Sequence, residues 1–317
     1  MTIVIRNPSS RTARRGHAGA SLSSIVLVVA WLLSGLLTAS ASAEVLRWKF
    51  KAGEVLHYSI DTKIQMSARG ADRERKSNRT LTIDMNWTVL NVGPGDVAEI
   101  TQRIDRVRAK VEQAPYVPFE FDSNSSKGVP DGFEEEAKHL KSMVGQEFTF
   151  SMKPSGEIGH IRLAENTLKA IREAVTGEEQ VAEAQKSLMQ MLLQSSPPSF
   201  PEVDVKPGKS WKSKAVRVPA RFGIMVIEKT FTFQGPDPNS PHLLLVGIDS
   251  RVGVEPVAGV TTTIRKQEGK GSMTIDARSG HLISVRFTDK IDMTVTPTGG
   301  QPLAQTSETT SSMNLLP

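Results

Sequence analysis

Few of the side chains that could do chemistry at neutral pH stand in useful company here. The 317 residues include no cysteine, which excludes thiol nucleophiles, zinc–thiolate sites, redox pairs and disulfides together. Beyond the N-terminal leader the histidines are His57, His139, His160, His242 and His281, and none stands in a metal-ligand spacing such as H-x-x-x-H. His160 and His281 each follow a Ser-Gly turn, but at different distances, so they do not mark one duplicated site. All five read as surface or strand-edge histidines. The chain has no G-x-S-x-G elbow, no G-x-x-x-x-G-K phosphate loop and no G-x-G-x-x-G after a strand.

The carboxylates Asp61, Asp84, Glu99, Asp105, Asp249 and Asp276 are scattered singly along alternating stretches. That suits the wet face of a sheet better than the paired acid and base of a glycosidase. Aromatic content of 5% is also low for a sugar-binding cleft. Glu134, Glu135 and Glu136 are consecutive, and consecutive helical residues point in different directions. They read as a solvated helix start rather than a Ca²⁺ site. No catalytic residue, metal or cofactor is predicted, and the chain is read as a non-enzyme.

The elements that would position any site begin after a leader. Arg6, Arg11, Arg14 and Arg15 precede an apolar run from Ile25 to Leu37, and Ala41-Ser42-Ala43 supplies the small residues a signal peptidase reads. Residues 1–43 are therefore expected to be a signal peptide cut before Glu44, placing the protein in the periplasm or outside the cell. The alternative is an inner-membrane anchor formed by residues 18–43, the one way this reading brings the chain to a membrane. The four leader arginines account for most of the formal +5 charge, so the remainder is close to neutral. No basic face for nucleic acid is implied.

From residue 44 the pattern is mainly β. Leu56, Tyr58 and Ile60 alternate, as do Leu81, Ile83, Met85, Trp87 and Val89, and Val97 to Val111 forms a third long strand. A short helix is expected over Phe133 to Leu140, and a hairpin turns at Lys153-Pro154-Ser155-Gly156. Leu168, Ile171 and Val175, then Val181, Ala184, Leu188, Met191 and Leu192, stand at helical spacing on either side of Gly177. Further strands follow from Ser210, with Val260 to Gln267 and Gly271 to Asp276 read as separate. Residues 296–317, rich in Thr, Ser, Gly and Gln, are expected to be a disordered tail.

The predicted organisation is thus a first β-rich half (44–163), a helical insert (164–199), a second β-rich half (200–295) and the tail. The fold class is β-rich α+β, with antiparallel meanders forming a curved sheet, barrel or sandwich. Four landmarks recur in order in the two halves. Gly53 matches Gly208, Gly93 matches Gly235, Ile104-Asp105 matches Ile248-Asp249, and Ser155-Gly156 matches Ser279-Gly280. The halves read either as duplicated meanders or as two meanders whose turns recur because Gly-Pro turns and alternating strands are common in β-rich sequence, since the register differs at the last pair.

The run from Gly145 through Phe148-Thr149-Phe150 to Pro154-Ser155-Gly156-Glu157-Ile158 resembles a pattern in a family of uncharacterised exported bacterial proteins of planctomycete type. Phe200-Pro201-Glu202, Lys206-Pro207-Gly208-Lys209-Ser210-Trp211 and Lys49-Phe50-Lys51-Ala52-Gly53-Glu54 with Tyr58 are similar to it as well. The resemblance implies export and a β-rich fold, and it carries no site residues.

Three functions follow from these readings. The first is a non-catalytic binding or structural module of the cell envelope. The second is a carrier of an apolar ligand or lipid, lidded by the insert and lined by Leu188, Met189, Met191 and Leu192, whose side chains are soft and adaptable. The third is a hydrolase whose site no motif marks.

Overall fold

In the computed structural model the described residues are 46–70, 74–113, 117–174, 177–183, 185, 199–220 and 222–317. The leader and the candidate lining residues Leu188, Met189, Met191 and Leu192 lie outside them. The strands are β1 (Val55–Arg69), β2 (Glu74–Val92), β3 (Ala98–Gln113), β4 (Phe119–Asp122), β5 (Glu147–Met152), β6 (Ile158–Leu163), β7 (Ser210–Lys212), β8 (Val216–Ala220), β9 (Gly223–Asp237), β10 (Ser240–Glu255), β11 (Val260–Asp276), β12 (Leu282–Pro297) and β13 (Leu303–Leu315). Two helices, α1 (Glu134–Met143) and α2 (Glu165–Ala174), accompany them, and residues 178–183 are also helical.

The expected antiparallel meander is present as one open 13-stranded sheet, in the order β6-β5-β3-β2-β1-β13-β12-β11-β10-β9-β7, with β4 on β3 and β8 on β9. Of the three forms weighed from sequence, a curved sheet, a barrel and a sandwich, the open sheet is the one adopted. Neighbours in the sheet are neighbours in sequence, except at the centre. There the first strand, β1, pairs with the last, β13, over Tyr58↔Leu315 to Arg69↔Ala304.

That pairing corrects the expected disordered tail. Strand β13 is hydrogen-bonded on both sides, to β1 and to β12. Ser and Thr dominate it, but threonine is β-branched and suits a pleated strand, while Met313 is buried in the main core and Leu315 packs against it. The second half therefore does not end at 295. A further correction concerns β11, which runs unbroken from Val260 to Asp276 through Gly269 and Gly271. The stretch from Ser210 to Val218 divides into β7 and β8, and β4 was not anticipated.

Alternation selects the faces. Phe148, Phe150 and Met152 of β5 are buried on alternate positions, as are Leu244, Val246, Ile248, Ser250 and Val252 of β10. The main core gathers Phe148, Phe150, Met152, Leu244, Val246 and Ile248 with Trp48, Tyr58, Trp87, Phe200, Phe231 and Phe233, drawing from both halves. Trp87 donates its indole N–H to Gln102 Oε1 at 2.8 Å, which satisfies both buried groups. The opposite face carries Ser59, Asp61, Lys63, Gln65 and Ser67 of β1 with their cross-strand partners.

A second cluster joins Ile104, Val107, Val111 and Phe119 to Ala137, Leu140 and Met143, the buried side of α1. Its three leading glutamates sit in the first turn, where the helix dipole favours negative charge. A third cluster joins Val252, Ile291 and Met293.

The two Lys-x-Gly turns are built alike. Gly53 N–H donates to Val89 O, and Val89 N–H returns to Glu54 O; Gly208 N–H donates to Phe233 O, and Phe233 N–H returns to Lys209 O. Both glycines lie at positive φ, 82° and 85°, where a side chain would be strained. The later landmarks shift in register. Ile100 pairs with Val89 and Phe150, and Val246 pairs with Phe233 and Met273. Val246 is thus the counterpart of Ile100, and Ile248 stands where the first half has Gln102. Segment 46–50 ties the halves together: Trp48 N–H donates to Pro154 O, and Lys49 Nζ donates to Ala277 O at 2.6 Å.

Candidate functional site

The sequence-singled histidines do not converge. His57, His139 and His160 are exposed, and His281 Nε2 lies 3.2 Å from Glu54 Oε1 beside the turn that ends β11. Among the described residues no three His, Asp or Glu side chains gather to hold a metal ion. Among the described residues, three places set polar groups beside a hollow or a bare stretch of sheet.

The first is a hollow of about 470 Å³ on the polar face, spanning β2, β1, β13, β12 and β11. Two rungs of the ladder line it, Lys76–Ser67–Thr306–Asp292–Lys266 and Asn78–Gln65–Glu308–Lys290–Glu268. Its carboxylates are already engaged. Glu308 pairs with Lys290 at 3.2 Å, Asp292 with Arg265 at 2.6 Å, and Glu268 with Lys270 at 3.3 Å. This is the solvated side of an antiparallel sheet.

The second is a hollow of about 590 Å³ between the β2–β3 turn and the β5–β6 hairpin, lined by Asn91, Glu99, Ser151, His160 and Arg162 among others. His160 is held at φ 48°, next to the register shift between β5 and β6, which accounts for its conformation. Glu99 accepts from Asn91 Nδ2 at 2.7 Å and pairs with Arg162. Here too the charges satisfy one another.

The third differs. On the apolar face, Lys229 of β9, Ser250 of β10, Gly269 of β11 and Asp289 of β12 form one rung, and Phe231, Ile248, Gly271 and Phe287 form the next. The two glycines leave the face bare on β11, so side chains from either side reach across it. A methyl group at Gly269 would sit 2.1 Å from Ser250 Oγ and 2.5 Å from Asp289 Oδ1, and one at Gly271 would lie 2.9 Å from the Phe287 ring. Across this floor Ser250 Oγ donates to Asp289 Oδ1 at 3.0 Å, and Lys229 Nζ stands 5.0 Å from the centre of the Phe287 ring.

The electrostatics follow from that setting. Burial pushes the Lys229 ammonium below the usual lysine range, with the Asp289 charge acting in the opposite sense. Burial likewise raises the Asp289 carboxyl, against the Ser250 hydrogen bond and the Lys229 charge. Among the described residues no hydrogen bond or ion pair engages Lys229 Nζ. It is a half-buried cation over an aromatic ring, and its Nζ is not among the buried nitrogens left without a partner.

Ser250 is not set up as an acyl-transfer nucleophile. Ser250 donates to a carboxylate, a weak base, and its hydroxyl is not hydrogen-bonded to Lys229. The neighbouring backbone N–H groups lie within paired ladders, which leaves no free pair of donors for an oxyanion. Reading the sequence alone missed Lys229, Ser250 and Asp289. The available signal was Gly269-Lys270-Gly271 inside an otherwise β-like stretch, since glycine within a strand marks a close approach.

The chain belongs to the Family of unknown function (DUF6263), whose model matches residues 95–282, more than half of its length. This bears out the resemblance to a family of unknown function. No curated protein matches the chain. Among solved structures, one described as lipid-protein interactions in lipovitellin aligns at 12% identity and TM-score 0.48, over 85% of this chain and 26% of that one. This chain thus spans about a quarter of the lipovitellin chain. DynF from the dynemicin biosynthesis pathway of Micromonospora chersina aligns at 10% identity and TM-score 0.22, over 86% of each chain. OpdL of Pseudomonas aeruginosa aligns at 6% identity and TM-score 0.24, over 83% of this chain and 99% of that one.

Proposed function

We propose that the protein is an exported, non-catalytic binding module of the cell envelope, and that it holds a largely apolar molecule on the glycine-floored part of its sheet. The observation that carries this reading is Lys229. It is half-buried, stands over the Phe287 ring and lies beside a strand that Gly269 and Gly271 leave bare between Phe231, Ile248 and Phe287, an amphipathic recess suited to a largely apolar ligand. The basic leader, the apolar run from Ile25 to Leu37 and the small residues Ala41-Ser42-Ala43 support export with cleavage after Ala43. The like-built turns at Gly53 and Gly208 support an origin by duplication of one meander, with the helical insert between the copies.

A carrier role, with the insert as lid, is the form of this reading in which the ligand is released again. Uptake and release by purified protein test it together. Incubation with vesicles containing a fluorescent long-chain lipid analogue is expected to transfer the analogue to protein, with saturation at a fixed stoichiometry. Absence of transfer at any protein concentration sinks the binding reading.

A further inference from the structure

We infer that the tip of the β1–β2 hairpin docks the protein on a bilayer containing anionic phospholipid. This surface lies apart from the Lys229 site and owes nothing to that reading. Three observations carry it.

The first is charge. Residues 69–79 hold five basic side chains, Arg69, Arg73, Arg75, Lys76 and Arg79, against Asp72 and Glu74. Arg69 and Lys76 flank Glu74 at 3.4 and 3.6 Å. Arg75 and Arg79 are exposed, and among the described residues neither guanidinium has a hydrogen bond or an ion pair. Phosphate oxygens can accept two parallel N–H bonds from such a fork. The second is what these arginines face. Arg79, Ser77 and Arg75 stand opposite Ile64, Met66 and Ala68, so all of them share one face of the hairpin. Met66, in the middle, is 38% exposed. A hydrated polyanion gains nothing from an exposed thioether between two guanidinium groups, whereas the headgroup boundary of a bilayer takes apolar and cationic groups together. The third is the lack of opposing charge. The turns at the same end of the sheet, residues 256–259 and 298–302, carry no charged side chain, and Val257 in the first is 38% exposed. On the other side Glu112 of β3 is held by Lys110 at 3.0 Å.

The test is co-sedimentation of the full exported chain with phosphatidylcholine vesicles made with and without phosphatidylglycerol. Wild type is expected to bind the anionic vesicles at least about tenfold more tightly, and added salt should release it. Arg75→Gln/Arg79→Gln should weaken that binding by about thirtyfold, at about fivefold for each basic residue near an anionic membrane surface. Arg75→Lys/Arg79→Lys should keep most of it. Met66→Gln should weaken binding to anionic vesicles by about fivefold and leave binding to soluble dextran sulfate unchanged. Each variant should melt as wild type does. Equal binding of wild type to both kinds of vesicle, or anionic binding that the glutamine pair leaves intact, overturns the docking surface. Vesicle binding that Met66→Gln leaves unchanged and dextran sulfate matches assigns the tip to a soluble polyanion and overturns the membrane assignment.

Discussion

Gly269→Ala is the substitution that most directly probes the bare floor beneath Lys229. The new methyl group would fall 2.1 Å from Ser250 Oγ and 2.5 Å from Asp289 Oδ1, separations no carbon–oxygen pair tolerates, so both side chains must move. Moving them breaks the 3.0 Å bond between Ser250 and Asp289. A hydrogen bond to a charged group contributes about 1.5–3 kcal/mol net, and overpacking adds about 1–3 kcal/mol. Replacing a strand glycine recovers roughly 0.5–1 kcal/mol of backbone entropy. The expected destabilisation is about 1.5–5.5 kcal/mol, read from urea unfolding followed by the fluorescence of Trp48, Trp87 and Trp211. In a Ser250→Ala background the worst contact and the hydrogen bond are already gone. The added cost of the alanine should then fall by about 1 kcal/mol or more, a coupling large enough for a double-mutant cycle to resolve. Destabilisation of less than about 0.5 kcal/mol, or strict additivity with Ser250→Ala, refutes the convergence of these side chains over the glycine.

Three other outcomes follow from the same structure. Deleting residues 298–317 removes β13 from the middle of the sheet, so the truncated protein should lose its cooperative thermal transition; a truncation with unchanged melting would restore the disordered-tail reading. Because burial lowers the Lys229 ammonium, the folded protein gives up this proton before the unfolded chain does. Stability attributable to Lys229 should therefore rise with pH until the ordinary lysine value of about 10.4 is passed, and Lys229→Met should abolish that rise. Parallel stability curves for wild type and the variant would contradict the burial of this charge. N-terminal sequencing of exported protein should begin at Glu44, and a start at Met1 would favour the anchor formed by residues 18–43.

How far the sequence disclosed this molecule depended on whether the signal was local. Alternation along β5 and β10, positive-φ glycines at Gly53 and Gly208 and the acidic first turn of α1 are all properties of adjacent residues, and each was legible. Strand β13 was not. Its Ser, Thr and Gln composition reads as disorder, and what holds it is pairing with β1, more than 200 residues earlier. Gly269 and Gly271 looked like an interruption because nothing local says that a strand continues through them.

The candidate site is non-local in the same way. Lys229, Ser250 and Asp289 share a rung only through the registers of three strand pairs, and a one-residue slip in any of them would turn a member to the other face. The shifted counterpart of Gln102 has the same origin. Matching motifs by spacing paired Ile104 with Ile248, whereas the ladder pairs Gln102 with Trp87 and Ile248 with Phe231.

The central claim is that this sheet holds an apolar molecule at Lys229. Organic extraction of the freshly purified exported protein, followed by mass spectrometry, addresses it most directly, with Lys229→Met purified in parallel. The account predicts an apolar compound near stoichiometric with wild type and depleted from the variant. A wild-type extract free of such compounds, from a protein that also takes up none when offered, would contradict it.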